Sequence, residues 1–401
     1  MRHIALVLCG TALVLTPPAA AQDRAADPAR HLVGHLGLES YKATIKGLTA
    51  FGDRRQGTDR NRAAIDWIEA QLRSYGCTAT ERMTYEYTGR QVRDSVPPAR
   101  EWVNPNGAER PRLDRRGNVI KGNTGPTGVN MDPMRQPDSA LRAINAQPDT
   151  PGPREQVWCT KIGTTRPDEM IIVGAHMDGH GDGAAANDDG SGTAIVMELA
   201  RVLNAPGVAS DRSIRFVLWN NEETGLNGSR AYVEQRRALQ GIESPAGSGR
   251  YPEPRWVAMI QHDMMLFDHG APRADGTVSP VQRPEADVNI EFAGSSAHAA
   301  AAAELAWLFR RANERYATDY PAAVGDRMSN TDSQAFQDHV PAISLRENER
   351  LAHIGTGWDP HWHQPTDVYE TFSDDDFRLG LNAAQTTLAA LVELAGVTVA
   401  P

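Results

Sequence analysis

Side chains that bind metal ions cluster between Gly174 and Gly192, directly after an apolar run that predicts a buried strand. His176 follows that run, and Asp188 comes twelve positions later, in the loop after the strand. Imidazole nitrogen and carboxylate oxygen are ordinary ligands of zinc. Ligand sites gather at the carboxyl ends of strands in open α/β sheets. The spacing therefore indicates a metal-dependent hydrolase.

Three further segments deliver charged or imidazole groups to the same kind of position. Glu222 and Glu223 follow one apolar strand, Asp263 follows another, and His363 lies in a late loop. With His176 and Asp188, they provide two histidines and enough carboxylates to hold two zinc ions that share one bridging carboxylate. One more carboxylate must stay free to take a proton from water. Adjacent Glu222 and Glu223 can divide these roles.

Each of these motifs has an ordinary structural explanation when it is taken alone. Glu-Glu pairs are common on solvated surfaces, and the segment Asp188-Asp189-Gly190 can form a simple turn. The carboxylates nevertheless follow apolar strands, where unpaired charge is costly. Their order along the chain favours a single shared site.

The elements that must position these groups alternate between strand and helix. Strands are predicted at 78–87, 157–162, 170–175, 214–219, 256–261 and 340–345. Helices are predicted within 38–75, the second of them at about 60–75, and at 192–203, 226–237, 299–311 and 376–394. Such alternation predicts an α/β fold. We expect a three-layer sandwich with a mixed, largely parallel central sheet that helices flank on both faces.

One long segment, at about 95–153, breaks this alternation because it is dense in proline, glycine and asparagine. A short helix at 138–145 is the exception. A stretch of this length without regular structure is a functional lid, an inhibitory segment or an inert surface insertion. The chain is therefore predicted to comprise a signal peptide at 1–21 and a single catalytic domain at 22–401 that contains this insertion.

The N-terminus has the pattern of an export signal. Arg2 precedes an apolar stretch at 4–15, which is too short to span a bilayer, and Ala19-Ala20-Ala21 provides a cleavage site. No second run of membrane-spanning length follows. We expect a protein without a membrane span that is periplasmic or secreted after cleavage near Ala21.

Composition bounds the partners and the redox chemistry. A formal net charge of −10 over 401 residues argues against a general nucleic-acid-binding protein, which needs a basic surface. Cys77 and Cys159 remain after signal removal, and in an oxidising compartment they form a disulfide or stay as buried thiols. The oligomeric state is left open.

As a set, the motifs resemble those of the co-catalytic zinc aminopeptidases of bacteria. The resemblance covers about 40–95 and 155–395. The same wider family of zinc exopeptidases includes glutamate carboxypeptidases, glutaminyl cyclases and the transferrin-receptor ectodomain. The matching segments are His176-Met-Asp178, Asn187-Asp-Asp-Gly-Ser-Gly192, Asn221-Glu-Glu-Thr-Gly225, Asp263-Met264 and His363-Gln-Pro-Thr-Asp367.

The resemblance implies the zinc exopeptidase fold, two zinc ions and a set of ligands. Asp188 would bridge the two ions. His176 and Asp263 would complete one site, and Glu223 and His363 would complete the other.

The resemblance also implies roles for residues that bind no metal. Glu222 would be the general base. Asp178 would hold the imidazole of His176, as metal-bound histidines usually require. Asp189 would support the ligands, and the peptide bond between Asp188 and Asp189 would be cis.

The remaining histidines receive less direct roles. His361 lies two positions from His363, and both cannot easily serve one metal ion. His180 and His262 are expected to support the ligands or to line the pocket. Trp362 stands where some relatives carry a tyrosine that could steady an oxyanion. The segment 330–333 departs from the related Ser-Asp-His segment and receives no role.

The resulting functional expectation is an exported zinc exopeptidase that acts on peptides as an aminopeptidase. A carboxypeptidase with the same metal centre is the first alternative, and it would need a cation such as Arg346 or Arg327 for the substrate carboxylate. A glutaminyl cyclase would need one zinc only. A metal-free binding domain, as in the receptor relatives, would lose ligands that this chain keeps.

Overall fold

A computed structural model describes residues 27–87, 89, 129–269, 279, 281–284, 286–347 and 359–400. The predicted signal peptide and the first part of the predicted insertion, 95–128, lie outside the described residues. In the described part of the chain, no helix is long and apolar enough to cross a membrane.

The described elements alternate as the sequence predicts. The strands are β1 (Thr80–Tyr85), β2 (Arg154–Lys161), β3 (Arg166–His176), β4 (Val208–Ser210), β5 (Arg212–Trp219), β6 (Arg255–His262), β7 (Val288–Phe292), β8 (Ala322–Gly325), β9 (Ala342–Arg346) and β10 (Val397–Val399). The α-helices are α1 (Pro28–Val33), α2 (Leu38–Thr49), α3 (Asp59–Ser74), α4 (Ser139–Asn145), α5 (Gly190–Leu203), α6 (Asn227–Arg236), α7 (Ala299–Tyr316) and α8 (Asp374–Ala395).

The main sheet of the described chain has eight strands in the order β1-β2-β5-β3-β6-β9-β7-β8, and β4 pairs with β10 separately. The central strands β5, β3, β6 and β9 run parallel, and β7 pairs in parallel with β8. Antiparallel pairs join β1 to β2, β2 to β5 and β7 to β9. The predicted mixed, largely parallel sheet is confirmed.

Helices and turns cover both faces of this sheet. Along β3, Ile171 and Val173 pack into the larger core, together with side chains of α2, α5 and α8. Met170 and Ile172 point to the opposite face, where a second cluster includes Tyr232 of α6. This alternation along one strand is what a sheet buried on both sides requires. The expected three-layer sandwich is therefore present.

Several elements were not expected from the sequence. The strands β7 and β8 are short, four or five residues each, and lie at one edge of the sheet. Short edge strands carry little hydrophobic periodicity, so the pattern misses them.

The helix expected at 138–145 is present as α4, and the Asp138 side chain caps it.

A disulfide joins Cys77, just after α3, to Cys159 on β2. Their Cα atoms are 6.1 Å apart, within the usual range for a bridge. The bond fixes a helix of one layer to the sheet, and both sulfur-bearing residues are buried. It resolves the alternative left open by the sequence.

Replacing both Cys77 and Cys159 with alanine should lower the free energy of unfolding by about 2–4 kcal/mol, because the crosslink restricts the unfolded chain. Urea unfolding at equal metal content measures this change. The unmodified protein in dithiothreitol is the control and should approach the variant. An unchanged midpoint would contradict the structural role of the bridge.

Candidate metal centre

The predicted site residues meet at the carboxyl ends of the central strands. His176 ends β3, Glu222 and Glu223 follow β5, and Asp263 follows β6. The loop after β9 brings His363 to the same edge. Parallel neighbours make this convergence automatic, since their carboxyl ends lie at one edge of the sheet.

The backbone at this edge is unusual. Asn221, Met264 and His363 adopt left-handed φ values of 65°, 59° and 55°. Such conformations are disfavoured for residues other than glycine and tend to cluster at functional sites. The peptide between Asp188 and Asp189 is cis, as the family resemblance implied. The left-handed conformations of Asn221, Met264 and His363 show that their surroundings hold these residues in place.

The first group of potential ligand atoms comes from His176, Asp188 and Asp263, all buried. The Nε2 atom of His176 lies 3.2 Å from Oδ1 of Asp188 and 3.7 Å from Oδ1 of Asp263. One nitrogen and two carboxylate oxygens so close together form a donor set that suits zinc.

A second group lies on the other side of Asp188. The Nε2 atom of His363 is 3.0 Å from Oδ2 of Asp188 and 2.9 Å from Oε2 of Glu223. His180 belongs to the same group, with its Nε2 atom 3.0 Å from Oε2 of Glu223. Asp188 thus presents Oδ1 to His176 and Oδ2 to His363, and it lies between the two groups.

Main-chain contacts orient the imidazole of His176. Its Nδ1 atom is 2.9 Å from the carbonyl oxygen of Asp178, which leaves Nε2 facing Asp188. The carboxylate of Asp178 is farther from Nδ1, at 4.0 Å, and instead accepts a hydrogen bond of 3.1 Å from the N–H of Glu222. Asp178 therefore touches His176 through its backbone and the Glu222 turn through its side chain.

Asp189 connects three segments of the chain by hydrogen bonds to its carboxylate. Its carboxylate accepts hydrogen bonds from the N–H groups of His176 (3.2 Å), Gly192 (2.8 Å) and Met264 (3.1 Å). It also caps the N-terminus of α5. A carboxylate is stabilised there by the unpaired N–H groups of the first turn and by the helix dipole.

Asp367 holds the loop that carries Asp188. Its carboxylate accepts hydrogen bonds from the N–H of Asn187 at 2.8 Å and of Asp188 at 3.1 Å. In the sequence, Asp367 belongs to a motif, but its role is not evident there. Its hydrogen bonds fix the backbone on which both groups of ligand atoms depend.

Arg54 is fully buried and binds the loop that leads to Asp188. Its guanidinium donates hydrogen bonds to main-chain carbonyl groups at distances of 2.7–3.3 Å. The acceptors are Leu48, Gly52, Met177, Ala184 and Ala185. A planar fork of five N–H donors is suited to such a task. No motif in the sequence marks Arg54 for this role.

The two arginines proposed as carboxylate-binding cations differ in exposure. Arg346 is buried and forms an ion pair with Asp263, and it also donates to the carbonyl of Asn330 at 2.9 Å. Arg327 is exposed and pairs with its neighbour Asp326 at 3.2 Å. Arg346 is therefore engaged with a predicted metal ligand.

The other histidines near the motifs lie outside both groups of ligand atoms. His262 is buried, its Nε2 lies 2.8 Å from Oγ1 of Thr387, and burial lowers its pKa to about 4. The Nδ1 atom of His361 lies 2.8 Å from Oγ1 of Thr366. In each of these contacts, the partner is a threonine hydroxyl outside the two groups.

Asp332 comes from the segment that received no role, and it is fully buried. Its carboxylate accepts a hydrogen bond of 3.2 Å from Gln261, and burial raises its pKa to about 7. Glu222 is partly exposed, but dehydration of its carboxylate raises its pKa well above the usual value, and Asp332 and Glu223 add to the shift. These carboxyl groups therefore hold protons more tightly than isolated ones.

Protonated imidazoles balance part of this negative charge. Burial alone would lower the pKa of His363, but the carboxylates of Glu223 and Asp188 outweigh that effect and raise it to about 10. For His176, the loss of hydration is likewise outweighed, mainly by Glu222 and Asp188, and its pKa rises well above the ordinary value.

The donor atoms fit a metal centre. Among the described side chains, buried atoms without a hydrogen-bond partner include Nε2 of His180, Oε1 of Glu223 and Nδ1 of His363. Unpaired buried polar atoms are rare and need an explanation. Imidazole and carboxylate groups converging from separate loops are the ligand types that zinc binds.

Comparisons with known proteins agree with this geometry. The model of the family described as "Peptidase family M28" matches residues 158–387. A probable lipoprotein aminopeptidase of Mycobacterium tuberculosis is 38% identical over 126 residues, which cover 31% of this chain and 22% of that protein. The alignment thus spans less than a quarter of that relative.

Solved structures share the fold at low sequence identity. A zinc aminopeptidase from Bacillus subtilis has a TM-score of 0.59 at 17% identity and covers 90% of this chain and 95% of its own. A glutaminyl cyclase from Porphyromonas gingivalis has a TM-score of 0.54 at 16% identity, covering 90% and 99%. The fold alone therefore does not decide the reaction.

Zinc binding near pH 7 should release about one to two protons per protein, because a zinc ligand must be neutral imidazole. The raised pKa of about 10 keeps His363 protonated at that pH when no metal is bound, and the pKa of His176 is raised as well. The affinity for zinc should keep rising with pH beyond the usual pKa of histidine, up to the pKa of His363 at about 10.

Calorimetric titration in buffers of different ionisation enthalpy measures this release. Binding heats that are independent of the buffer, or an affinity that levels off near pH 7.5, would contradict the raised pKa values. The second outcome is what unperturbed histidines, with a pKa of about 6.5, would give.

Proposed function

This chain belongs to peptidase family M28, and we propose that it is a zinc-dependent exopeptidase, specifically an aminopeptidase that removes N-terminal residues from peptides. The position of Asp188 supports this proposal most directly. Its two carboxylate oxygens face His176 at 3.2 Å and His363 at 3.0 Å. A carboxylate between two imidazoles is the arrangement that a shared, bridging ligand requires.

Two zinc ions would occupy the two groups of ligand atoms. His176, Asp188 and Asp263 would hold one ion, and Asp188, Glu223 and His363 would hold the other. When bound, the pair polarises the scissile carbonyl and lowers the pKa of water toward about 7.

Glu222 acts as the general base in this proposal. Its carboxylate accepts a proton from the attacking water and passes it to the nitrogen of the leaving amine. The hydrogen bond from the Glu222 N–H to Asp178 fixes the turn that carries this side chain. Its neighbour Glu223 faces His363 instead, so that adjacent glutamates serve different tasks.

The charge around the centre favours a substrate amino terminus over a carboxylate. Among the described arginines near the site, Arg54 donates to backbone carbonyls and Arg346 pairs with Asp263. Neither guanidinium is therefore available to a substrate carboxylate, whereas an α-amino group needs no such cation.

Two alternatives use the same fold. A carboxypeptidase would need a cation that is free to bind the substrate carboxylate, and Arg346 is engaged elsewhere. A glutaminyl cyclase would need one zinc, whereas Asp188 faces a histidine of each of two groups of ligand atoms here. Both observations favour the aminopeptidase.

We also propose that the protein acts after export, once the signal peptide has been cleaved near Ala21. The disulfide between Cys77 and Cys159 supports this location, because such bonds persist in oxidising compartments. Peptides that are present outside the cytoplasm would then be its substrates.

Replacing Glu222 with glutamine should reduce turnover of an aminoacyl anilide by about 10²–10⁴-fold, since the amide cannot accept the proton. Zinc content, measured by atomic emission, should stay near that of the unmodified protein. The exposed Glu234→Gln on α6 is the matched control. Full activity in Glu222→Gln would end the assignment of the base.

A panel of substrates separates the three reactions. We expect release of N-terminal residues from aminoacyl anilides and free peptides, no cleavage of N-acetylated peptides, and complete loss of activity with a chelator. C-terminal trimming of N-acetylated peptides would identify a carboxypeptidase. Cyclisation of N-terminal glutamine would identify a cyclase, and activity that persists in chelator would refute the metal mechanism.

A further inference from the structure

We infer that His180 is a fourth protein ligand in the half-site formed by Asp188, Glu223 and His363, an assignment that rests on the proposed di-zinc function. The other half-site, formed by His176, Asp188 and Asp263, then has three. Four protein ligands complete a tetrahedral shell, whereas three leave a position open. The two ions would therefore be held unequally.

The spacing of the donor atoms carries the inference. With bonds of about 2.0–2.1 Å, two ligand atoms on a tetrahedral zinc ion lie roughly 3.3 Å apart. The Nε2 atoms of His180 and His363 lie 3.0 Å and 2.9 Å from the same oxygen of Glu223. The two imidazole rings meet edge to face at 4.1 Å. Two of the three separations are thus close to the value for zinc, and all three donor atoms lie within 4.8 Å of one another.

Hydrogen bonding does not account for the position of His180. Its Nε2 atom is buried and has no hydrogen-bond partner of acceptable geometry among the described residues, despite the short distance to Glu223. The second oxygen of Glu223 is also unpaired. Groups that are close but not aligned for a hydrogen bond are expected where each points at a common ion.

The loop that carries His180 is packed against the loop that carries His363. A Cβ atom on Gly181 would come within 2.3 Å of the carbonyl oxygen of His363, and one on Gly183 within 2.6 Å of that of Gln364. Only residues without a side chain allow this approach. The two histidines are therefore held at a fixed separation before any ion binds.

The described end of the predicted insertion also connects the two loops by hydrogen bonds. Asn130 donates from its N–H to the carbonyl of His363 at 2.9 Å and from its side chain to Asp182 at 2.8 Å. The side chain of Gln136 donates to the carbonyls of Asp182 and Pro365, both at 2.8 Å. This segment links the neighbours of both histidines, so His180 is a preorganised ligand.

The consequence is an order of metal loss. The ion held by four protein side chains should leave more slowly than the ion held by three. The open position for water and substrate then belongs to the half-site of His176 and Asp263. His180 binds metal in this assignment and takes no part in the proton transfer of Glu222.

Release of zinc to a chromogenic chelator, followed in time, tests the assignment. The unmodified protein should release two ions in a fast and a slow phase. In His180→Ala and His180→Gln, the slow phase should become at least about tenfold faster, the scale that even supporting residues produce. His339→Ala removes an exposed histidine and should release zinc as the unmodified protein does.

The outcomes separate this inference from the proposed function. If the unmodified protein binds no zinc, both fail. If it binds two ions and both His180 variants release them at the original rates, His180 is not a ligand and the di-zinc proposal stands. His180 is partly exposed, with a side-chain exposure of 17%, so the glutamine variant can fold without filling a core position.

Discussion

The structure depends on neutralising the carboxylates that it buries at one edge of its central sheet. An unpaired carboxylate in the interior costs several kcal/mol. Backbone N–H groups donate hydrogen bonds to some of these carboxylates, and protonated imidazoles balance the charge of others. Arg54 and Arg346 add fixed positive charge nearby. Proton uptake neutralises others, since burial raises the pKa of Asp332 to about 7, and metal ions would add further positive charge. The buried carboxylates at this edge include Asp178, Asp188, Asp189, Asp263, Asp332, Glu347, Asp359 and Asp367.

Much of the fold and the site could be predicted from the sequence, because both follow from apolar strands and from what comes directly after them. His176, Glu223 and Asp263 lie at or just beyond the carboxyl ends of buried strands, so a parallel sheet brings them together. The helices that were predicted have apolar faces of several turns. The pairing of Cys77 with Cys159 could not be predicted, because it depends on how a helix is placed over the sheet.

The residues that were missed act through contacts that leave no pattern in a sequence. Arg54 lies in a polar connection between two helices, where an arginine normally signals solvent, yet it binds backbone carbonyls of a distant loop. Asp367 acts on main-chain N–H groups, which every residue carries. The end of the insertion was expected to lack regular structure beyond one helix, and side chains such as Gln136 anchor it by hydrogen bonds to carbonyl groups. Hydrophobic periodicity reports none of these interactions.

The position of Asp188 between the two groups of donors makes them thermodynamically dependent on each other. An ion on one side fixes the orientation of the carboxylate and so spares the second ion that ordering cost, while the two positive charges repel. The balance is one coupling free energy, and it acts equally in both directions. When zinc is scarce, the sign of this coupling free energy decides how the ions are distributed. Unfavourable coupling gives molecules with one ion, and favourable coupling gives a mixture of empty and fully loaded molecules.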